Sequence, residues 1–295
     1  MSINDVVIIG AGPAGLGTAI QLKRYKIEAI LLEKEAVGGL LRNANLVENY
    51  PGFPNGISGR DLVELFKKQL ENSQVLPIFE EALEVDYREN VFIIKTTRRV
   101  IISRIVVVAS GTKPKRLPNI NISKEAEKRI FYEVYHLGHV TNEKIAIIGS
   151  GDAAFDYALN LSKKNKVIIL NRGVKVKCLS LIFKRALKNS YISYVESIEV
   201  EGVKYHDNNL ILVCHNSTGK QEIYTSYLVV AIGREPSLDF FSKNLKMNLK
   251  RLRSLKKLYM VGDVQNGIYR QTAIAVGNGI KAAMEIYREL KGEKP

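Results

Sequence analysis

Three glycines near the start of the chain have the spacing of a phosphate-binding turn. They stand in Gly10-Ala11-Gly12-Pro13-Ala14-Gly15, a GxGxxG pattern that follows an apolar, β-branched run. The first glycine allows a tight turn, the second lets the backbone approach a pyrophosphate, and the third lets a helix pack closely on a strand. Glu33 follows 18 residues after Gly15, where a carboxylate can accept hydrogen bonds from a ribose hydroxyl. Together these residues predict a dinucleotide site.

A second glycine turn of the same type lies in the middle of the chain. Gly149-Ser150-Gly151-Asp152-Ala153-Ala154 carries the pattern with alanine at the third glycine position. The next apolar run ends in Asn171 and Arg172, with Lys175 and Lys177 close behind, and it offers no carboxylate for a ribose 2′-hydroxyl. Cations at that point suit the 2′-phosphate of NADPH, so we expect NADPH, with NADH left possible. The alternative is that these cations only solvate a loop.

The cysteines and histidines are few and far apart. Cys178 and Cys214 are the two cysteines, and they stand 36 positions apart. This number and spacing predict neither a disulfide framework nor a metal site, and they favour a reducing compartment, the cytosol. His136 and His139 have a spacing that could place both on one helical face, but no third ligand stands near them, so we expect no metal. The other roles open to this segment are proton donation near a flavin, by His136 or Tyr135, and ordinary loop or packing roles.

Positive charge is concentrated in two segments of the chain. The formal charge is +14, from 44 Lys and Arg against 30 Asp and Glu. Residues 163–188 contain nine basic residues and residues 243–257 contain seven, with no acidic residue in either segment. Such segments can attract nucleic acid, a phosphorylated ligand or an acidic protein, or they can be solvated faces. Because no nucleic-acid-binding module is visible, we expect no nucleic acid partner.

Each glycine turn is set in a strand–helix–strand unit that must hold it in place. Short β-branched runs predict the strands, and apolar residues at helical spacing predict the helices. The predicted bounds are 5–9, 14–25 and 29–32 in the first unit and 144–148, 153–163 and 167–170 in the second. Two such units about 140 residues apart predict an α/β protein with two Rossmann-like, three-layer nucleotide-binding domains.

Further short strands follow each unit and are interpreted as an inserted hairpin layer. Their predicted bounds are 83–85, 91–96 and 101–109 in the first half and 198–200, 210–214 and 227–232 in the second. Breaks at Pro114, Pro118 and Pro236 mark the expected crossings between domains. A last helix is predicted over residues 272–290.

Composition excludes several classes of protein. With 46% hydrophobic and 25% charged residues the chain has the proportions of a globular protein, which excludes disorder and fibrous repeats. The longest apolar runs have about five residues, far fewer than the roughly 20 needed to span a bilayer, so we expect no membrane partner. The first residues lack the charged and apolar regions of a signal peptide.

Several other motifs carry a family resemblance. Gly38-Gly39-Leu40-Leu41 and Val47-Glu48-Asn49-Tyr50-Pro51-Gly52-Phe53-Pro54 form one group, and Gly262-Asp263-Val264 and Ile268-Tyr269-Arg270-Gln271 form another. With the two glycine turns, they make the chain similar to the low-molecular-weight thioredoxin reductases and the thioredoxin-reductase-type ferredoxin–NADP reductases. The first group resembles the flavin-side loop of that family and the second resembles its second FAD segment. The resemblance covers essentially the whole chain.

The resemblance implies a fold, two cofactors and a set of binding residues. An NAD(P)H domain, residues 114–237, is expected to be inserted into a discontinuous FAD domain, residues 1–113 and 238–295. For FAD the resemblance implies Gly10, Gly12, Pro13, Ala14, Gly15, Glu33, Lys34, Gly39, Leu40, Asn49, Val85, Ala109, Gly111, Gly262, Asp263, Arg270, Gln271 and Thr272. For NAD(P)H it implies Gly149, Gly151, Asp152, Ala153, Ala154, Asn171, Arg172, Lys177, Ile232 and Gly233.

The chain departs from the thioredoxin reductases at two places. Their redox-active CxxC falls on Tyr132 and Tyr135 here, so no side chain is expected to react covalently. A dithiol relay needs two nearby thiols, and neither Cys178 nor Cys214 is expected to replace them. Gly173 stands where the family has the second of two arginines for the 2′-phosphate, which leaves the preference between NADPH and NADH open.

Two functions follow from the resemblance and its departures. The first is an FAD-dependent oxidoreductase that takes hydride from NAD(P)H and passes electrons to an external acceptor such as ferredoxin, whose net acidity would suit the basic segments. The alternative is a flavoprotein that lost disulfide reductase activity and serves as a redox sensor or binds a partner protein. The resemblance also implies a homodimer, and we expect it in the cytoplasm.

Overall fold

The described residues form two compact units. The structure, a computed structural model, describes residues 3–118 and 120–292. Unit 1 comprises the chain up to Arg42, Val47–Lys113, and the chain from Glu235 on, and unit 2 comprises Asn43–Leu46 and Pro114–Arg234. Residues 1–2 and 293–295 of the predicted FAD domain, and residue 119 of the predicted NAD(P)H domain, lie outside the described residues.

Strands and helices alternate along much of the chain. The strands are Ile3–Ile9 (β1), Ala29–Glu33 (β2), Pro77–Phe79 (β3), Ala82–Arg88 (β4), Val91–Thr96 (β5), Val100–Val108 (β6), Thr112–Pro114 (β7), Asn121–Ile122 (β8), Ile130–Phe131 (β9), Lys144–Ile148 (β10), Lys166–Leu170 (β11), Ile192–Val195 (β12), Glu199–His206 (β13), Asn209–Asn216 (β14), Gly219–Thr225 (β15), Tyr227–Val230 (β16), Arg234–Pro236 (β17) and Leu258–Met260 (β18). The α-helices are Pro13–Arg24 (α1), Gly59–Asn72 (α2), Lys124–Glu127 (α3), Asp152–Leu161 (α4), Ser180–Leu187 (α5), Lys243–Ser254 (α6) and Thr272–Lys291 (α7).

Unit 1 is built on a seven-stranded sheet. Its order is β3-β2-β1-β6-β5-β4, and β18 pairs with the carboxyl-terminal part of β6. Strand β1 lies between β2 and β6, parallel to both, so Ile9 is opposite Leu32 on one side and Val108 on the other. The residues from Val6 to Ile9 are all buried, as expected for a central parallel strand that is covered on both faces. The carboxyl ends of β1, β6 and β18 therefore meet at one edge of the sheet.

The predicted hairpin layer is wrong in one respect. Strand β6 pairs with β1 over Ile3–Ile9, so it is a central strand of the main sheet, and β4 and β5 extend that sheet as an antiparallel pair. Likewise β16 pairs with β10 in the parallel sheet of unit 2. Closeness in sequence is a poor guide to strand pairing here, because β6 pairs with a strand about 100 residues earlier.

Unit 2 has two sheets. A parallel sheet has the order β12-β11-β10-β16-β9, and a second sheet has the order β15-β14-β13-β8. Helix α4 packs on the parallel sheet, and its Phe155 is fully buried among Tyr194 and Phe183. The predicted strand–helix–strand order around the second glycine turn, β10-α4-β11, is confirmed.

Helix α6 was not predicted from the sequence. It carries Leu245 and Leu252 fully buried against the core of unit 1, while its cations occupy the exposed positions. Ser242 caps the helix by accepting the Leu245 N–H at 2.9 Å, and the buried Asp86 carboxylate accepts from the Ser242 hydroxyl at 2.6 Å. These hydrogen bonds hold the pKa of Asp86 well below its usual range in spite of burial. The acid is thus fixed at the positive end of the helix, where it stabilises the helix.

The two passages of the chain between the units run side by side. Strands β7 and β17 pair as a two-stranded sheet, Thr112–Pro114 with Arg234–Pro236. Both passages coincide with the predicted proline breaks at Pro114 and Pro236. In the part of the chain that the structure describes, no helix has both the length and the apolar character needed to cross a membrane.

Candidate nucleotide-binding sites

The first glycine turn of unit 1 brings strand, helix and neighbouring strand into very close contact. Gly10 has φ +105, and a Cβ at this position would lie 2.5 Å from the carbonyl oxygen of Ala109. A Cβ at Gly15 would lie 1.9 Å from the carbonyl oxygen of Gly10. Only glycine therefore fits at either position. These contacts draw the N-terminus of α1 onto the carboxyl end of β1.

Gly12 serves a different purpose, because the space beside it is open. It is the N-cap of α1 with extended backbone, and a Cβ there would meet no atom within 4 Å. Pro13 occupies the first helical position, no side chain caps the helix, and its first turn has no acidic residue. The N–H groups and the positive end of the helix dipole thus point to open space beside Gly12. This arrangement fits a bound pyrophosphate.

Glu33 lies at the end of β2, and the turn holds its carboxylate firmly. Its Oε2 accepts the Ala11 N–H at 2.8 Å, and its Oε1 accepts the Glu35 N–H at 2.9 Å. The side chain is buried, with 8% of the residue exposed. Each carboxylate oxygen retains acceptor capacity, which is what a ribose diol requires. The next residue, Lys34, is exposed.

The flavin-side loop predicted from the sequence folds against the first turn. The Gly38 N–H donates to the Ala11 carbonyl at 2.8 Å, and a Cβ at Gly39 would lie 3.3 Å from the Gly12 Cα. Leu40 is half-buried in a short 3-10 helix, Gly39–Asn43. Two segments far apart in the sequence thus converge on Gly12.

The last helix brings a third segment to the same place. Gly262 has φ +75, and a Cβ there would lie 2.7 Å from the Ala14 Cβ. A Cβ at Gly279 of α7 would lie 2.1 Å from the Ala14 carbonyl oxygen, so α1 and α7 are in backbone contact. The Asn278 carboxamide accepts the Gly262 N–H at 3.3 Å and fixes the turn that carries Asp263, a half-buried residue. The second predicted segment therefore lies beside the first glycine turn.

The N-terminus of α7 is also available to an anion. Gln271 is its N-cap, Thr272 begins the helix, and neither a capping side chain nor an acid occupies the first turn. Asn49 Nδ2 donates to Gln271 Oε1 at 2.8 Å, so the flavin-side loop contacts this end of the helix. Arg270 is half-buried directly before it. A helix N-terminus and a cation suit a ligand that gains negative charge.

The remaining residues predicted for this site lie at strand ends. Ala109 and Gly111 follow β6, and the Ala109 N–H donates to the Ile9 carbonyl at 2.8 Å. Val85 is fully buried in β4, and its backbone exchanges hydrogen bonds with Phe240 and Ser242. Its side chain belongs to the core, so its backbone is the part that can face a ligand.

Unit 2 repeats the geometry of the first turn around Gly149. A Cβ at Gly149 would lie 2.5 Å from the Ala231 carbonyl oxygen, the same approach that Gly10 makes to Ala109. Gly151 is the extended N-cap of α4, and a Cβ there would meet no atom within 4 Å. Ala154 is fully buried, and its Cβ would lie 3.1 Å from a Cβ at Gly149, so alanine is accommodated at the third position. This turn also fits a pyrophosphate.

The predicted cations of unit 2 lie in one loop, residues 172–177, which we call the cation loop. Arg172, Lys175 and Lys177 are all exposed on it. Asn171 is 5% exposed, and its carboxamide accepts the Gly173 N–H at 3.2 Å and donates to the Lys175 carbonyl at 3.3 Å. Its side chain therefore shapes the loop. The sequence predicts that Asn171 contacts the nucleotide, and no local pattern signals this internal role.

The other predicted residues of unit 2 surround the same end of its parallel sheet. Asp152 and Ala153 open helix α4, and both are exposed. Ile232 and Gly233 follow β16, and the Gly233 carbonyl, at φ +115, accepts the Lys115 N–H at 3.0 Å. The carboxyl ends of β10, β11 and β16 thus supply every residue predicted for the second nucleotide.

A polar network surrounds Glu133, between Tyr132 and Tyr135. The Glu133 carboxylate accepts from Arg234 Nη1 at 2.5 Å and from Asn43 Nδ2 at 2.6 Å. The Glu133 and Arg234 side chains are each only 17% exposed. The Tyr132 ring lies 4.6 Å below the Arg116 guanidinium. The pairing of Glu133 with Arg234 has no sequence signal, because the two residues stand 101 positions apart and neither belongs to a motif.

The two cysteines are poor thiol nucleophiles in this environment. Burial, with a smaller contribution from Glu201, raises the pKa of Cys214 to about 11. Burial and the charge of Asp152 raise the pKa of the half-buried Cys178 thiol. Both thiols therefore favour the protonated form, which is unreactive. Among the residues that the structure describes, no group of three His, Cys, Asp or Glu side chains is arranged to hold a metal ion.

Two phosphate-binding turns, each at the carboxyl ends of parallel strands in its own sheet, define a protein that binds two dinucleotides. Comparisons with known proteins agree. Residues 4–279 match the family model described as pyridine nucleotide-disulphide oxidoreductase. The thioredoxin reductase of Borreliella burgdorferi is 29% identical over 98% of this chain and 93% of that protein. A 34.2 kDa protein in the rubredoxin operon of Clostridium pasteurianum is 28% identical over 98% of both chains.

The solved structures agree with the fold. The thioredoxin reductase of Lactococcus lactis, in its FR conformation, superposes with a TM-score of 0.85 at 27% identity, over 98% of this chain and 99% of that chain. This chain belongs to the pyridine nucleotide-disulphide oxidoreductase family. It is an oxidoreductase of the thioredoxin reductase type, a flavoprotein that uses FAD and NADPH.

Proposed function

We propose that this protein transfers electrons from NADPH, through FAD, to an external acceptor without a disulfide of its own. The observation that supports this proposal is the pair Tyr132 and Tyr135, which stand where the thioredoxin reductases have CxxC. The two cysteines lie elsewhere, Cys178 in one core cluster and Cys214 in another, and both are free. The electrons therefore have no dithiol to pass through in this chain.

In this proposal unit 1 holds FAD and unit 2 holds the nicotinamide nucleotide. Bound FAD would supply the hydride-accepting chemistry that no side chain can provide. The residues around Gly12 and Gly262 would bind the pyrophosphate, and Glu33 the ribose. The N-terminus of α7, with Arg270, would stabilise negative charge on the reduced cofactor. In unit 2 the Gly151 turn would bind the NADPH pyrophosphate, and Arg172 with Lys177 the 2′-phosphate.

The acceptor that we favour is a small acidic electron carrier such as ferredoxin. Helix α6 supports it, because Lys243, Lys246, Lys250 and Arg251 are all exposed, and none forms an ion pair with another described residue. Met247 lies among them and is 80% exposed. Cations at the N-terminus of a helix interact unfavourably with the helix dipole, so Lys243 does not stabilise α6. The relative in the rubredoxin operon suggests the same class of partner.

The proposal is tested by NADPH oxidation with several acceptors. The panel contains an acidic ferredoxin, a benzoquinone, oxygen and a small disulfide. We expect the ferredoxin to give the highest kcat/KM and the disulfide to give no turnover above the oxygen background. Efficient reduction of the small disulfide, with none of the ferredoxin, would contradict the proposal.

A charge-reversed variant tests the docking surface separately. Lys243, Lys246 and Lys250 are replaced by Glu, and a matched control reverses the exposed Lys164, Lys184 and Lys188 of unit 2. Because these charges steer association, we expect the α6 variant to raise KM for ferredoxin and to reduce its dependence on salt, while benzoquinone reduction is unchanged. Equal effects of both variants on ferredoxin reduction would argue against α6 as the docking surface.

A second candidate function is a redox sensor that binds FAD but has lost turnover. Gly173, which stands where thioredoxin reductases have a second arginine, favours it, because one cation fewer faces the 2′-phosphate. Anaerobic titration distinguishes the two functions. Loss of the visible flavin absorbance within seconds of adding stoichiometric NADPH supports the enzyme. If NADPH and NADH fail while dithionite reduces the flavin, the sensor is supported instead.

We also propose that the protein works as a cytoplasmic homodimer. Apolar side chains of α7, Ile274, Ile280 and Met284, are between 37% and 49% exposed, which would suit contact with a second copy. The free cysteines suit a reducing compartment. Sedimentation equilibrium of the FAD-loaded protein measures the mass, and a monomer at micromolar concentration would refute the dimer.

A further inference from the structure

Asp152 places a negative charge at the second glycine turn. It begins α4, directly after the N-cap Gly151, where the helix dipole would attract the phosphates of a nucleotide. A carboxylate at this point repels an anionic ligand. Helix α1, the counterpart in unit 1, has no acidic residue in its first turn. We therefore expect the Asp152 carboxylate to interact with groups other than the phosphates.

The Asp152 carboxylate binds the chain that follows the cation loop. Its Oδ1 accepts the Leu179 N–H at 2.7 Å. The Lys177 N–H donates to the Ser150 carbonyl at 2.8 Å, so this part of the chain pairs with the glycine turn itself. The charge of Asp152 also raises the pKa of the Cys178 thiol, which agrees with a carboxylate that faces this segment. The carboxylate thus fixes the end of the cation loop on the phosphate-binding turn.

The other end of the cation loop is anchored by a buried amide. Asn171 binds the backbone of Gly173 and Lys175, and its Nδ2 also donates to the Tyr194 hydroxyl at 3.0 Å. With one anchor at each end, the loop is held close to the turn while its cations stay exposed. Asp152 and Asn171 together determine where those cations stand.

We propose that Asp152 is a positioning residue that gives preference for a 2′-phosphorylated adenine nucleotide by holding the cation loop against the second glycine turn. The inference rests on the proposed role of unit 2 as the NADPH site. The charge repulsion between Asp152 and the phosphates lowers affinity for every nucleotide. The positioned cations offset it for those that carry a 2′-phosphate.

Nucleotide binding without turnover tests this inference. Calorimetric titration of the FAD-loaded protein with 2′,5′-ADP and with 5′-ADP measures the preference for the 2′-phosphate directly. The variants are Asp152→Ala, Asp152→Asn and the control Asp207→Ala, which removes an exposed acid elsewhere in unit 2. We expect Asp152→Ala to lower affinity for 2′,5′-ADP by about five-fold or more and to leave affinity for 5′-ADP unchanged or higher. Asp152→Asn should keep most of the preference, because its Oδ1 still accepts the Leu179 N–H.

Each alternative result contradicts a different statement. If the wild-type protein prefers 2′,5′-ADP and Asp152→Ala keeps that preference, the positioning role is wrong and the proposed function stands. If the wild-type protein binds both nucleotides equally, both the NADPH preference and the positioning role are refuted. Hydrogen exchange at residues 177–179 gives an independent readout, since the loop should exchange faster in Asp152→Ala than in Asp152→Asn.

Discussion

Each turn has one glycine that faces open space, Gly12 or Gly151, and its replacement by alanine should weaken nucleotide binding without preventing folding. Gly12 and Gly151 are both N-caps with extended backbone, at φ −76 and φ −97, and a Cβ at either would meet no protein atom within 4 Å. Both conformations suit alanine. The expected loss of stability is below about 1 kcal/mol, from the poorer N-cap. Both variants should therefore fold.

The added methyl group should nevertheless obstruct the nucleotide, because it projects into the space beside the helix N-terminus. One methyl group too many in a close contact costs about 1–3 kcal/mol. That corresponds to a loss of affinity of about 5- to 150-fold. Gly12→Ala should weaken FAD binding by this factor. Gly151→Ala should retain FAD and raise KM for NADPH instead.

The assay measures the flavin-to-protein ratio, the dissociation constant of FAD, and KM for NADPH. Gly277→Ala is the matched control, since this glycine lies in α7 and a Cβ there also meets no atom within 4 Å. It should be neutral or slightly stabilising, because alanine favours the helix. Gly15→Ala is the opposite control and should not fold, given the 1.9 Å approach. Full FAD occupancy and an unchanged dissociation constant in Gly12→Ala would refute the assignment of unit 1.

Three further predictions concern unit 2. Arg172→Ala should raise KM for NADPH more than KM for NADH, and equal effects on both in steady-state kinetics would exclude a 2′-phosphate contact. Burial raises the pKa of Asp156 to about 6, so the protonated carboxyl stabilises the folded protein. This stabilisation is complete below about pH 4 and is lost as the pH rises through about 6. Asp156→Asn should remove about 2 kcal/mol of that pH dependence, as thermal unfolding from pH 4 to 7 will show. Glu133→Ala leaves the largely buried Arg234 without its carboxylate and should lower the free energy of unfolding by about 3 kcal/mol, while Glu133→Gln should cost less in denaturant titrations.

The parts of the fold that could be predicted from the sequence are those with local causes. The two turns can be predicted from Gly10, Gly15 and Gly149, because the backbone contacts at those positions exclude any side chain. Strand β1 can be predicted from its short β-branched run, and helix α7 from its apolar residues at helical spacing. The predicted bounds of these elements differ from the observed ones by no more than two residues.

The parts that could not be predicted depend on contacts between distant residues. The Asp152–Leu179 hydrogen bond and the Glu133–Arg234 ion pair join residues 27 and 101 positions apart, and no local pattern signals either. Helix α6 could not be predicted for a different reason. Its dense cations dominate the pattern of the segment, although Leu245 and Leu252 have the spacing of a buried helical face.

The paired strands β7 and β17 have a consequence for how this chain is made. Strand β18 completes the sheet of unit 1 by pairing with β6, yet about 150 residues of chain separate the two strands. During synthesis all of unit 2 leaves the ribosome before β18 and α7 do. Apart from Asn43–Leu46, unit 2 is the continuous segment Pro114–Arg234, and the two ends of that segment meet in one ribbon. We therefore expect unit 2 to fold first and to bring the two halves of unit 1 together, so that the inserted unit acts as the folding template of the unit that contains it.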